Sequence, residues 1–190
     1  MGGGIVCGWI WPDTSPCFGV YLQIPRCMIL IGLGSNLDGA WGPPSSMLRR
    51  AIGYLNASGC RLVSASAFVR TSAYGKTDQP DFLNAVARIA TRKTPEALLD
   101  YLQSIEKEAG RRRGERWSPR SLDLDILDFN GIVRETPPPV LPHPGIPHRP
   151  FVLRPIMEIA PHWRHPTLGK TAAQMLEPLQ AQTEGRVLDC

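Results

Sequence analysis

The chain has 190 residues, 43% of them hydrophobic and 20% charged, which is enough apolar material for one domain with a buried core. Its net charge of +4, from 21 Lys and Arg against 17 Asp and Glu, suits a small anionic ligand and is too weak by itself to indicate nucleic acid. Five cysteines (Cys7, Cys17, Cys27, Cys60, Cys190) are scattered with no Cys-x-x-Cys, which argues against a disulfide framework or zinc site and for reduced thiols in the cytoplasm.

Residues 1–27 differ from the rest of the chain: three glycines open a stretch that mixes apolar residues with Pro12, Pro16 and Pro25. No apolar run approaches the ~20 residues that span a bilayer, and no basic region precedes the apolar part as in a signal peptide. The segment reads as an unstructured extension or a mis-assigned start. The fold is expected to begin at Met28, where Met-Ile-Leu-Ile-Gly-Leu-Gly-Ser-Asn36 forms a first strand and a tight turn, and to run as a single domain over 28–190 with a polar C-terminal tail.

From Ser45, apolar residues Met47, Leu48, Ala51, Ile52 and Leu55 recur at helical spacing, with Gly59 placed to end the helix. One strand is expected over Leu62–Val69, then a polar, turn-rich segment from Arg70 to Asp81, long enough to be functional. A third strand begins at Phe82. Thr94-Pro95-Glu96 is a helix start, with an N-cap, proline in the first turn and an acid beside it. Leu98, Leu99, Leu102, Ile105 and Ala109 make its apolar stripe, and Gly110 closes it.

Three arginines, Arg111 to Arg113, open a basic loop, and Gly114 gives it freedom to open. Three consecutive arginines can be a solvated charge run or a nucleic-acid patch, and their place just before the acid pair favours a cover for polyphosphate. The strand after this loop is the centre of the chemistry. Leu122, Leu124 and Ile126 point one way and Asp123 and Asp125 the other. Carboxylates two apart on a strand, roughly 6.5 to 7 Å between Cα atoms, can share oxygen-loving divalent ions. The alternative is a solvated strand face salt-bridged to Arg116 or Arg120. Asn130-Gly131 then signals a hairpin turn, with Ile132-Val133 returning. A proline-rich stretch holds Pro142-His143-Pro144, Arg149 and Phe151. A helix is expected from Phe151 to Ile159 despite Pro155, and a short last one around Thr171–Leu176.

The run Arg116-Trp-Ser-Pro-Arg-Ser-Leu-Asp-Leu-Asp-Ile-Leu127 closely resembles the signature of the 6-hydroxymethyl-7,8-dihydropterin pyrophosphokinase family. Gly34-Ser35-Asn36, the segment from Thr71 to Asn84 and Pro142-His143-Pro144 followed by Arg149 and Phe151 are similar to that family too, so the likeness covers roughly residues 28–178. The element order fits what it implies: an α+β ferredoxin-like sandwich with a mainly antiparallel sheet, an added hairpin and C-terminal helices. The implied activity is transfer of pyrophosphate from ATP to 6-hydroxymethyl-7,8-dihydropterin, releasing AMP, a step in folate biosynthesis.

The resemblance implies roles residue by residue. Asp123 and Asp125 would hold Mg²⁺, two ions with ATP, and Arg111 and Arg120 would be catalytic. Because the basic loop is one residue shorter than in some relatives, Arg112 and Arg113 stay open beside Arg111. The pterin would meet Thr71, Ser72, Tyr74, Phe82, Asn84, Trp117 and Phe151. ATP would meet Gln103, Glu106, Arg112, Arg116, Ile126, His143 and Arg149. The partners would be these two substrates, without nucleic acid or membrane, and the expected state is a cytoplasmic monomer. Other classes have less to stand on: the aromatic run of an RNA-binding sheet and a Gly-x-x-x-x-Gly-Lys phosphate loop are both missing. Another Mg²⁺-dependent phosphotransferase, or an inactive relative that only binds, is the alternative.

Overall fold

A computed structural model describes residues 28–72, 80–110 and 120–184, the last four of these by backbone alone. The expected extension over 1–27 lies outside the described residues. In chain order the elements are β1 (Ile29–Ser35), α1 (Pro44–Tyr54), β2 (Cys60–Ala65), β3 (Val69–Thr71) and β4 (Phe82–Thr91). Then come α2 (Pro95–Glu108), β5 (Asp123–Phe129), a 3₁₀ turn (Ile146–His148), α3 (Pro150–Ile159) and α4 (Ala172–Glu184). The strands pair antiparallel in the order β2-β4-β1-β5, with β3 also on β4. This is the expected ferredoxin-like sheet, and β1 lies inside it.

Alternation along β1 divides the core. Ile29, Ile31 and Leu33 face one way and pack with Met47 and Leu48 of α1, Leu98 and Leu102 of α2, and Leu124 and Ile126 of β5. Leu30 faces the other way, with Val86 and Leu127, and is covered by Val152 and Ile156 of α3 and Met175 of α4. Helices therefore lie on both faces of the sheet. On the second face, β1 presents Gly32 and Gly34 beyond Leu30, and there the pocket lies.

Four expectations change. Helix α1 closes at Leu55, and Gly59, at φ +82°, instead turns the chain into β2. The strand expected over Leu62–Val69 is broken. Ser66 Oγ accepts the Val86 N–H at 3.0 Å, and the Ala67 N–H leaves the ladder for the Glu158 carboxylate at 3.0 and 3.2 Å. Asn130 and Gly131 do turn with positive φ, but the chain beyond them pairs only in an isolated bridge between Arg134 and Leu141. The prolines in that stretch have no N–H to extend a ladder. Helix α4 runs on to Glu184, past the expected end at Leu176 and through Pro178. Thr171 and Gln174 cap its start reciprocally, Thr171 Oγ1 taking the Gln174 N–H and Gln174 Oε1 the Thr171 N–H.

Strand β5 is an edge strand with its outer side occupied. Leu124 N–H donates to Glu106 Oε1 at 2.8 Å, and Leu127 C=O accepts from the His143 N–H at 2.8 Å. Ile31 pairs with Ile126 and Leu30 with Asp128, so Leu127 is the extra residue of a bulge. The bulge brings Asp128 to the α3/α4 side, where its carboxylate accepts from Trp163 Nε1 at 2.6 Å and from the Gly131 N–H at 2.9 Å.

Beside Trp163 lies His165, buried, its Nδ1 accepting the Leu168 N–H at 3.3 Å. Burial lowers its pKa, with Asp128 opposing. A lowered folded pKa gives stability that is complete above the unfolded value near 6.5 and lost as pH falls toward the folded one. We expect the melting temperature to fall between pH 8 and pH 5, and His165→Asn, whose Oδ1 can replace the Nδ1 acceptor, to make that acid limb shallower. Thermal melts of the two proteins across this range check it.

Candidate active site

The pocket opens where β1 has no side chains. A Cβ added at Gly34 would lie 3.3 Å from Asn84 Oδ1 and 4.0 Å from Asp123 Cβ, and one at Gly32 would lie 3.3 Å from Leu127. The lining includes Asn84 on one side, Asp123 and Asp125 on the other, and Arg149 and Phe151 at the start of α3. Register explains the meeting: Gly34 pairs with Asn84 on β4 and with Asp123 on β5.

Asn84 is buried, and its Nδ2 donates to Thr71 Oγ1 at 2.9 Å. On this hydrogen bond the carboxamide is oriented with Oδ1 toward Gly34 and the pocket. Thr71 is itself placed by the β3–β4 pairing, opposite Phe82.

The carboxylates meet cations. Arg120 Nη1 donates to Asp123 Oδ1 at 2.9 Å. Arg149 Nη1 and His143 Nε2 each lie 3.8 Å from Asp125 Oδ2, in ion-pair range but beyond a hydrogen bond. His143 Nδ1 accepts the Gly145 N–H at 2.9 Å, which leaves the ring proton on Nε2, facing Asp125. Burial pushes the His143 pKa down, Asp125 opposing and Arg149 reinforcing, so the ring is neutral at physiological pH. The Arg149 guanidinium lies 6.0 Å from the Phe151 ring centre.

Thus Thr71, Asn84, Arg120, Asp123, Asp125, His143, Arg149 and Phe151 come together. Phe82 is half-buried on β4, two residues before Asn84, and Ser72 is exposed just after β3. Three residues lie elsewhere. Ile126 has its side chain in the core on the opposite face of β5, Gln103 is exposed on α2, and Glu106 is buried with Oε1 on the Leu124 N–H. Tyr74, Arg111, Arg112, Arg116 and Trp117 lie outside the described residues. Gly32 and Gly34 went unnoticed as site residues, although two glycines at alternate positions of an apolar strand mark a place where something approaches the backbone closely.

An α+β sandwich that gathers acids, guanidiniums and a buried carboxamide around a glycine-floored cleft offers the groups that a phosphate and a small polar ligand would meet. Residues 30–161 match the family model for 7,8-dihydro-6-hydroxymethylpterin-pyrophosphokinase. A 2-amino-4-hydroxy-6-hydroxymethyldihydropteridine pyrophosphokinase of Methylorubrum extorquens is 45% identical over 132 residues, covering 69% of this chain and 81% of the relative. One of Synechocystis sp. is 38% identical over 149 residues, 78% of this chain and 74% of the relative. Among solved structures, an HPPK-DHPS triple mutant of Plasmodium falciparum with SDX-DHP superposes with a TM-score of 0.65 at 14% identity, which bears on fold alone. That match covers 88% of this chain and 46% of the other.

The chain belongs to the 7,8-dihydro-6-hydroxymethylpterin-pyrophosphokinase family. It is accordingly an ATP-dependent diphosphokinase. Among the described residues no helix is long and apolar enough to cross a membrane.

The glycine floor is testable. The methyls of Gly34→Val would press on Asn84 and Asp123, at an overpacking cost of about 1–3 kcal/mol. We expect the KM for the pterin to rise about tenfold or more. Steady-state kinetics with each substrate varied in turn checks this.

Proposed function

We infer that this pocket is where pyrophosphate passes from ATP to 6-hydroxymethyl-7,8-dihydropterin, with Asn84 and Phe151 receiving the pterin and Asp123, Asp125, Arg120, His143 and Arg149 receiving the nucleotide. One observation carries the reading: the Asp-Leu-Asp strand and Asn84 face each other across Gly34 in a single cleft. The hydroxymethyl oxygen attacks the β-phosphorus of ATP, its proton is lost, and the bond to the AMP oxygen breaks. The protein's first task is to hold these atoms in line.

Asn84 can do this for the heterocycle. One Nδ2 hydrogen is taken by Thr71, which leaves Oδ1 to accept a ring N–H and the second amide hydrogen to donate. Phe151 supplies a flat apolar surface at the pocket wall.

The donor set on β5 fits Mg²⁺. Asp123 and Asp125 are hard oxygen donors on one strand face, and among the described residues no group of three or more His, Cys, Asp or Glu side chains gathers into a metal cage. Such a site suits an ion that takes one or two carboxylates and completes its shell with phosphates and water. We propose two ions with ATP; when bound they neutralise phosphate charge. Arg120 and Arg149 bring guanidiniums to the same carboxylates, within reach of phosphate oxygens there. Neutral His143 has a donor at Nε2 and an occupied acceptor at Nδ1, so it can donate to a phosphate oxygen.

AMP should form from ATP only when the hydroxymethylpterin is present, and its formation without the pterin would overturn the assignment. Asn84→Ala should weaken pterin binding by ~1–3 kcal/mol and leave ATP binding nearly unchanged, as titration of each ligand would read.

Asp123→Asn and Asp125→Asn separate metal binding from ion pairing. The Arg120–Asp123 pair is about one-third exposed, with side-chain exposures of 30% and 27%. Losing it should therefore cost the ligand-free protein at most about 1 kcal/mol, partly offset by relief of carboxylate repulsion. Turnover should fall by about three orders of magnitude and the Mg²⁺ requirement should shift. A large drop in ligand-free melting temperature with an unchanged Mg²⁺ curve would remove the metal reading.

A further inference from the structure

Gly34-Ser35-Asn36 belongs to the resemblance, yet only its glycine lines the pocket. The other two residues are buried, Ser35 at 0% and Asn36 at 2% exposure, and their bonds are spent on two other segments. The Asn36 N–H donates to the Arg120 carbonyl at 3.1 Å, and the Arg120 N–H donates back to Asn36 Oδ1 at 2.8 Å. Ser35 Oγ donates to the Ser121 carbonyl at 2.6 Å. Asn36 Nδ2 donates to the carbonyl of Pro80, four residues before Asn84, at 3.3 Å.

We propose that Asn36 is a positioning residue for the transfer, setting the backbone of Arg120 through its acceptor and the entry to the pterin strand through its donor. The proposal rests on the reading of Arg120 as a phosphate-side group. Both ends of one carboxamide are used, a requirement met by neither a carboxylate nor a hydrocarbon. The geometry gives the bonds more than a packing role. Arg120 is gripped at N–H and C=O together, three residues before Asp123, so the origin of its long side chain is fixed relative to the carboxylate it meets. The Pro80 bond ties that origin to the strand carrying Asn84. The two halves of the site are thereby referred to one buried side chain.

The test is a double-mutant cycle on turnover, with melting temperatures recorded for every variant. Asn36→Ala should lower kcat about tenfold in the wild-type background. Arg120→Ala should lower it more, and Asn36→Ala added to Arg120→Ala should cost less than about twofold further. A full tenfold loss in both backgrounds shows that Asn36 does not act through Arg120 and overturns the proposal, while the reading of Arg120 stands. A harmless Arg120→Ala overturns that reading and the proposal with it.

Asn36→Asp keeps an acceptor for the Arg120 N–H and loses the donor to Pro80. It should lower kcat less than about threefold and raise the pterin KM about tenfold. Should Asn36→Ala fail to fold, this split decides alone: loss concentrated in kcat with an unchanged pterin KM overturns the proposal.

Discussion

Two like charges on one face of an edge strand are the constraint around which this molecule is arranged. Asp123 and Asp125 stand two apart on one strand face and repel each other. Among the described residues, three side chains offset this repulsion. Arg120 precedes the pair on its own segment, while His143 and Arg149 approach from the proline-rich segment beyond β5. These contacts are partly exposed, so each contributes little to stability and each can be exchanged at small cost. A site whose cations are held loosely on its own carboxylates is suited to receiving a ligand that carries both metal and phosphate. A tightly buried ion pair there would resist the exchange.

Holding those charges in register falls to the strand itself. On its inner side β5 pairs with β1. On its outer side Glu106 takes the N–H of Leu124, the residue between the two acids, and the His143 N–H takes the carbonyl of Leu127. Beyond them the bulge at Leu127 rotates the strand, so Asp128 enters the interior to meet Trp163 and the acids stay at the pocket. Glu106 thus reaches the site through the backbone of β5. A carboxylate on α2 influences the position of Asp123 and Asp125 although it does not line the pocket.

How far the sequence revealed this depended on whether the information was local. Alternation on β1 and β5, the Thr94 N-cap and the Gly110 stop are set by neighbours in the chain, and the structure has them where the pattern placed them. The break between β2 and β3 is not local: it depends on Glu158, 91 residues from Ala67, capturing an N–H the sheet would otherwise use. The same holds for Glu106, since nothing in its neighbours along the helix signals a backbone partner 18 residues away. Ile126 shows the opposite limit. Its alternation had already put it on the apolar face, and its packing there is what periodicity alone foretold. Helix α4 outruns its expected end through Pro178, because a residue that lacks an N–H removes one hydrogen bond while packing of Met175 and Leu176 sustains the helix around it.

The start of α3 shows how the local and the distant combine. Pro150 opens the helix, and at N1 its fixed φ is what a helix start requires. Arg149 before it stays extended, with φ −121° and ψ 92°, and Phe151 after it is helical. The proline therefore separates the two by a rigid corner, leaving the guanidinium near Asp125 and the ring on the pocket wall. That corner needs room on its other side. A Cβ on Gly145 would come within 2.7 Å of Arg149 Nε and 3.0 Å of His143 Cε1. The absent side chain at Gly145 lets the arginine and the histidine converge on one carboxylate, as the absent side chain at Gly34 lets Asn84 face the acid pair. In both places the fold makes space for charge by leaving out carbon.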